Sequence, residues 1–168
     1  MQKKYVRAFF IIDFYTYIIA KLKIWKRRKI KIRNLAKGKR TDNKQWVKGY
    51  FTRISETFLI VNDQGSFPIE KDTLSFSTPF VDKNNVPIWE NDVVEFQFDP
   101  DDDPFPNPNT KKRLGQIYYN PYRGSISIAY GKTQINDDLW KYIRLNNRVK
   151  VLGNIFDTPD ILKKGEGK

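Results

Sequence analysis

Two neighbouring stretches, residues 45–53 (QWVKGYFTR) and residues 57–62 (TFLIVN), decide the fold class of this chain. The first alternates in polarity and is rich in aromatic residues, and the second is a short apolar run of residues that favour strands. Asp63-Gln64-Gly65-Ser66 follows them as a turn, and another extended stretch covers residues 67–78. Strands of this length separated by turns predict a β protein.

The same pattern continues through the middle of the chain. Residues 82–85 (DKNN) indicate a turn because Asn tolerates positive φ. Residues 93–98 (VVEFQF) predict a strand with Val94, Phe96 and Phe98 on one face. These segments place a second set of strands after the first.

The last third predicts a hairpin, a short helix and a final strand. The hairpin joins residues 114–120 to residues 125–130 through the turn Pro121-Tyr122-Arg123-Gly124. A helix is predicted near 137–146, with an N-cap supplied by the polar residues before Leu139, and a strand over 149–156. The expected fold is mainly β, with barrel-like or SH3-like sheets and hairpins plus this one short helix.

The composition excludes the commonest catalytic and metal-binding side chains. The chain has no Cys, which removes disulfides, thiolate nucleophiles and Cys-based metal sites. It has no His, which removes the commonest general base and zinc ligand. We therefore expect no cofactor, no metal and no enzyme activity, with a carboxylate-based reaction as the remaining catalytic alternative.

The net charge of +12 is concentrated in the first third of the chain. Residues 1–53 hold 17 Lys and Arg against 2 Asp, which gives +15, and the remaining residues sum to −3. Any anionic partner that this charge attracts is therefore expected to approach the first third.

Residues 1–28 differ in character from the chain that follows. They combine an apolar stretch, residues 8–20, with basic flanks, which suits an interfacial helix on anionic lipid better than a membrane span. A signal peptide is disfavoured because no small-residue cleavage site follows. The third alternative, which we rank first, is a start site assigned too early or a poorly ordered extension. We expect an extension at 1–28, a β domain at 29–162 and a polar tail at 163–168, in a cytoplasmic protein that contacts membrane, if at all, through the extension.

Residues 99–108 (DPDDDPFPNP) are predicted to form a solvated acidic loop. Four Pro residues deny this segment both helical and ladder hydrogen bonds. A calcium site is the functional alternative, but the spacing lacks the Gly and the bidentate Glu of an EF-hand loop.

The order of motifs resembles the YopX family of phage and prophage proteins. The resemblance lies in residues 30–35 (IKIRNL), 45–50 (QWVKGY), 77–94 and 152–162 (LGNIFDTPDIL). It covers residues 30–162 and leaves the first 28 residues outside. It implies a small, mostly β, cytoplasmic protein of bacteriophages that infect Gram-positive bacteria, and it supplies no catalytic or binding residues. Asn85 and Asn91 stand where the family pattern has glycines, which marks both as turn positions.

Two binding functions remain open. A phage accessory protein could bind a host or phage protein through exposed aromatic residues such as Trp89 and Tyr122, and we rank this first because the family-like body is only mildly charged. The alternative is a module that binds DNA or RNA by stacking its bases on a basic, aromatic strand face. The residues of that face are Lys44, Trp46, Lys48 and Tyr50, with Lys39, Arg40 and Arg53 nearby. Strand aromatics are more often packing residues, so we expect Trp46 and Tyr50 to face the core and Val47 and Phe51 to face outward or against a second layer.

Overall fold

A computed structural model describes residues 35–98, 111–131, 135–144 and 146–165, without the side chains of residues 135, 136 and 163–165. These residues belong to the unit Arg33–Lys168. The predictions for the extension at 1–28 and for the acidic loop at 99–108 lie outside the described residues. No helix within the described ranges is long and apolar enough to span a membrane.

Six strands form the first antiparallel sheet, in the order β4-β3-β2-β1-β5-β6. The strands are β1 (Leu35–Lys39), β2 (Trp46–Ile54), β3 (Thr57–Asn62), β4 (Gly65–Pro68), β5 (Ser75–Val81) and β6 (Pro87–Trp89). A 3₁₀ helix, Lys71–Thr73, interrupts the extended stretch predicted for residues 67–78. The sheet curls on itself, because Arg40 after β1 pairs with Ile69 after β4.

The concave side of this curled sheet encloses a small core of Ala36, Val47, Ile60 and Ile69. Burying each of the larger aliphatic side chains contributes about 1.5–3 kcal/mol. Gly49 permits the close approach of β2 to β3, since a Cβ there would lie 2.4 Å from the Val61 carbonyl oxygen. The glycine of the QWVKGY motif is therefore required by strand packing.

Five strands form the second antiparallel sheet, in the order β10-β9-β8-β7-β11. The strands are β7 (Asp92–Gln97), β8 (Lys112–Asn120), β9 (Ser125–Tyr130), β10 (Ile135–Asp138) and β11 (Val149–Asn154). Two short helices accompany them: α1 (Leu139–Ile143) contacts β9 and β10, and α2 (Asp160–Gly165) contacts β8. The core on the α1 side contains Ile88, Val94, Phe96, Ile117, Ile128, Tyr130, Leu139, Tyr142 and Val149.

The connection from β5 to β7 is fixed by buried polar side chains. Asp82 accepts hydrogen bonds from the backbone amides of Asn84 and Val86 at one carboxylate oxygen and from Val151 at the other. Asn85 and Asn91 have φ of 61° and 67°, as expected of residues at glycine positions of the family pattern. Asn91 also donates to Ser75 Oγ and accepts from Gln116, which ties the two sheets together.

The structure confirms the prediction of a mainly β fold. The predicted hairpin is β8–β9, and Val94, Phe96 and Phe98 contact one core. The helix predicted near 137–146 is limited to Leu139–Ile143, because residues 135–138 pair with β9 as β10. Its N-cap is Asp138, whose carboxylate accepts from the Trp140 amide. The last helix runs to Gly165 and so enters the segment predicted as a tail.

Candidate protein- and anion-binding surfaces

Three of the four residues predicted for the strand face, Trp46, Lys48 and Tyr50, share one side of β2, and Lys39 of β1 lies beside them. We call these four residues, Lys39, Trp46, Lys48 and Tyr50, the basic strand face. Lys39 lies opposite Trp46 in the β1–β2 pairing, and alternation along β2 places Lys48 and Tyr50 on the same side as Trp46. The expectation that Trp46 and Tyr50 face the core is wrong. Val47 is buried, Phe51 packs against the core, and Tyr50 is 40% exposed.

Lys44 does not belong to this face, contrary to the prediction that it shares strand parity with Trp46. β2 begins at Trp46, and Lys44 lies in the preceding connection with φ of 60°. Its ammonium group pairs with the Glu70 carboxylate instead. The predicted parity failed here because it extended the strand alternation back to Lys44, which lies before the strand begins.

Most of the predicted nucleic-acid-binding cations have a carboxylate partner within the chain. Lys39 Nζ lies 2.7 Å from Asp157 Oδ1, and Arg53 lies 3.0 Å from Glu56. Arg40 pairs with Asp42, and the guanidinium of Arg40 holds the pKa of the Asp42 carboxyl below its usual value. In the described part of the chain, Lys48 has no such partner, and its Nζ lies 5.6 Å from the centre of the Trp89 ring.

Lys37 is a cation that the prediction did not assign to this face, although it stands two residues before Lys39 on β1. Only 8% of Lys37 is exposed, and its Nζ lies 5.3 Å and 5.4 Å from the ring centres of Trp46 and Trp89. The ammonium group binds Asp92 Oδ1 at 2.7 Å, and the Trp89 amide donates to the other oxygen of that carboxylate. Burial raises the pKa of Asp92, and the Lys37 charge opposes that rise.

Asp157, in the turn after β11, covers one end of the basic strand face. Its carboxylate accepts hydrogen bonds from Trp46 Nε1 at 2.7 Å and Asn154 Nδ2 at 2.8 Å, besides the Lys39 ion pair. Phe156 packs against the Trp46 ring, with the ring centres 5.9 Å apart. Burial acts to raise the pKa of Asp157, but the bonds from Lys39, Asn154 and Trp46 outweigh it and lower the pKa to about 2.

The tip of the β8–β9 hairpin, residues 120–124, presents the most exposed aromatic side chain described. Tyr122 is 99% exposed. The turn beneath it is fixed, because the buried side chain of Asn120 accepts from the amides of Tyr122 and Arg123, and Gly124 has φ of 63°. Trp89, the other aromatic residue expected to be exposed, is only 7% exposed, because the Lys37–Asp92 pair and β5 pack around it.

Within the described ranges, no group of three or more acidic side chains gathers where it could hold a metal ion. Burial raises the pKa of Glu90, and a hydrogen bond from the Phe76 amide partly offsets that rise. The side chains of the two surfaces are cations, amides and aromatic rings, which are suited to binding.

The fold and these surfaces define a two-sheet antiparallel β protein with a basic strand face and a rigid hairpin tip. The family model described as YopX protein matches residues 21–163 of the 168. The chain belongs to the YopX family, as the resemblance of its motifs predicted. The match also takes in residues 21–28, which the sequence interpretation placed outside the family pattern.

No curated protein and no solved structure gives a significant match to this chain.

Proposed function

We propose that this chain is a non-catalytic phage or prophage accessory protein that binds a host or phage protein through the tip of the β8–β9 hairpin. The observation that carries this proposal is the full exposure of Tyr122 on a turn whose conformation is already fixed. A turn whose backbone is already held in one conformation loses little backbone entropy on association. Tyr and Arg are the residue types, with Trp, that most often dominate protein interfaces.

Arg123 gives the partner surface a chemical description. It is exposed, adjoins Tyr122, and has no carboxylate in ion-pair contact within the described residues. An arginine of this kind suits a carboxylate on the partner, beside an apolar pocket for the Tyr122 ring. The partner surface is therefore expected to be acidic around an apolar depression.

The distribution of ion pairs favours a protein partner over a nucleic acid. A nucleic-acid groove needs cations available for phosphates, whereas Lys39, Arg40, Lys44 and Arg53 are matched by carboxylates of the same chain. These four cations therefore offer little net positive charge to a nucleic acid in the described conformation. This is consistent with the absence of His and Cys, which favours a binding role over a catalytic one.

The proposal is tested by affinity capture from nuclease-treated lysate of cells that carry the gene, comparing wild type with the Y122A/R123A variant. We expect wild type to retain one stoichiometric protein and the variant to bind it about thirtyfold more weakly, since a lost hot spot costs about 2 kcal/mol. The matched control, K83A/V86A, also removes one exposed cation and one exposed apolar side chain from a turn. Equal capture by all three proteins, or capture by wild type that is seen only in a parallel lysate without nuclease, would overturn the proposal.

A further inference from the structure

We infer that Asp157 occupies a phosphate-binding position on the basic strand face, and that a single-stranded nucleic acid binds there when Asp157 is displaced. This site is separate from the hairpin tip and does not depend on the protein partner proposed above. The inference starts from three donors that converge on one carboxylate: Lys39 Nζ, Trp46 Nε1 and Asn154 Nδ2, at 2.7, 2.7 and 2.8 Å.

These donors suit a phosphate group as well as a carboxylate. Both anions present several acceptor oxygens, and charge-assisted bonds from an ammonium group are among the stronger hydrogen bonds in proteins. Asp157 belongs to an exposed turn, and its side chain is 41% exposed. An incoming anion can therefore reach the donors without crossing a packed core.

The surroundings of this position favour a nucleic acid over a free phosphate ion. Trp46, Lys48 and Tyr50 alternate along the same face of β2, so rings and a cation follow one another next to the anion position. Base stacking on aromatic rings combined with backbone contacts to cations is the usual mode of single-strand binding. Lys48 adds a cation to this arrangement that makes no direct ion pair among the described residues, although its charge also acts on the nearby Asp92 carboxyl.

Asp157 blocks this mode in the described conformation. It neutralises Lys39, and Phe156 beside it contacts the Trp46 ring that a base would use. The low pKa of Asp157 means that its carboxylate stays charged across the physiological range and competes continuously with phosphate. The turn after β11 therefore acts as an internal competitor for the basic strand face.

The test measures binding of a labelled oligo-dT strand by fluorescence anisotropy to the full chain at several salt concentrations. The variant D157N removes the competing charge and keeps an oxygen that can accept from Trp46. We expect D157N to bind more tightly than wild type, with a salt slope steeper by about 0.7 for one added phosphate contact. We also expect bound DNA to quench tryptophan fluorescence more in D157N than in D157N/W46F.

The matched control is E56Q, which changes the net charge equally and releases Arg53 at the far end of β2. Under the inference, E56Q stays close to wild type, and adding K39Q to D157N reverses its gain. Binding by D157N that equals wild type, or a gain in E56Q as large as that in D157N, would overturn the inference. Adding D157N to the tip variant Y122A/R123A should raise its affinity for oligo-dT as much as D157N raises that of wild type. This result separates the site from the proposed protein interface.

Discussion

At the scale of single residues, buried polar groups set the conformation of the turns that connect the two sheets. Asn91 adopts φ of 67° and donates to both Leu74 O and Ser75 Oγ while accepting from Gln116. The motif order predicted that Asn91 stands at a glycine position. The hydrogen bonds that join the Asn91 side chain to Ser75 and Gln116 could not be predicted from the sequence, because they form only where strands β5 and β8 meet at this turn.

Replacing Asn91 with Ala is expected to destabilise the fold by about 3–4 kcal/mol. Three side-chain hydrogen bonds are lost, at about 1 kcal/mol each, and Ala tolerates the left-handed backbone less well than Asn. N91G also loses these bonds but adopts this backbone freely, so it should be about 1 kcal/mol more stable than N91A. Urea denaturation of the three proteins measures this difference, and an N91G that is as unstable as N91A would contradict the role of φ.

The Lys37–Asp92 pair leads to a prediction about pH. K37M leaves the buried Asp92 carboxylate without its cation, which typically costs about 3–5 kcal/mol at neutral pH. Because burial already raises the pKa of Asp92 above its unfolded value of 3.8, its contribution to stability is present below that value and is lost as pH rises through the folded-state pKa. K37M raises that pKa further.

The free energy of unfolding of K37M should therefore approach that of wild type as the pH falls from 7 towards 4. The double variant K37M/D92N removes the charge as well as its partner, and we expect it to be more stable at pH 7 than K37M. Chemical denaturation at the two pH values provides the measurement. A deficit in K37M that is the same at both values would show that Asp92 is not the group responsible.

At the scale of elements, strands whose own sequence alternates or is rich in strand-favouring residues were predictable. Strands that form only by pairing with a distant neighbour were not. Residues 57–62 form β3 as predicted, and the β8–β9 hairpin agrees with its turn sequence. β10 was missed because its polar sequence, INDD, becomes a strand only by pairing with β9. For the same reason, the Asp157 contact, which spans 111 residues to Trp46, left no signal in the sequence.

The packing of β2 against β3 predicts a specific sensitivity at Gly49. A Cβ at this position would lie 2.4 Å from Val61 O and 2.9 Å from Ile60 Cγ2, so one strand must shift. We expect G49A to cost about 1–3 kcal/mol or more from overpacking. The control G131A places its Cβ where no described atom lies within 4 Å, at φ of 73°, and should cost only about 1–2 kcal/mol.

Thermal or urea unfolding of G49A and G131A gives the comparison directly. A G49A variant that is as stable as wild type would mean that β2 and β3 are not packed as closely as described. A loss of stability in G49A would also show that the glycine of the QWVKGY motif is needed for strand packing and not for ligand contact.

At the scale of the whole molecule, the uneven charge of the sequence is not reflected in an open basic surface on the described β structure. Residues 1–53 carry +15, and 11 of their 17 Lys and Arg lie before residue 35, outside the described residues. In the described part, Lys37, Lys39, Arg40, Lys44 and Arg53 are each paired with a carboxylate. Several of those carboxylates lie far along the chain, so a count of charge by sequence segment could not show this pairing. This pairing supports the proposed protein-binding role of the β domain, since four of the five cations predicted to bind nucleic acid are paired within the chain.

The most direct test of that central claim is the salt dependence of nucleic-acid binding by the full chain and by its K44Q/R53Q variant. Both substitutions remove cations that are already paired at the surface, which should change stability little. Fluorescence anisotropy with a labelled single strand, at salt concentrations that include ~0.15 M, gives the slope for each protein. We predict equal salt slopes for the two proteins, or no binding by either protein near ~0.15 M. A slope shallower by about 1.4 in the variant, equal to two lost phosphate contacts, would show that these cations bind nucleic acid and would contradict the central claim.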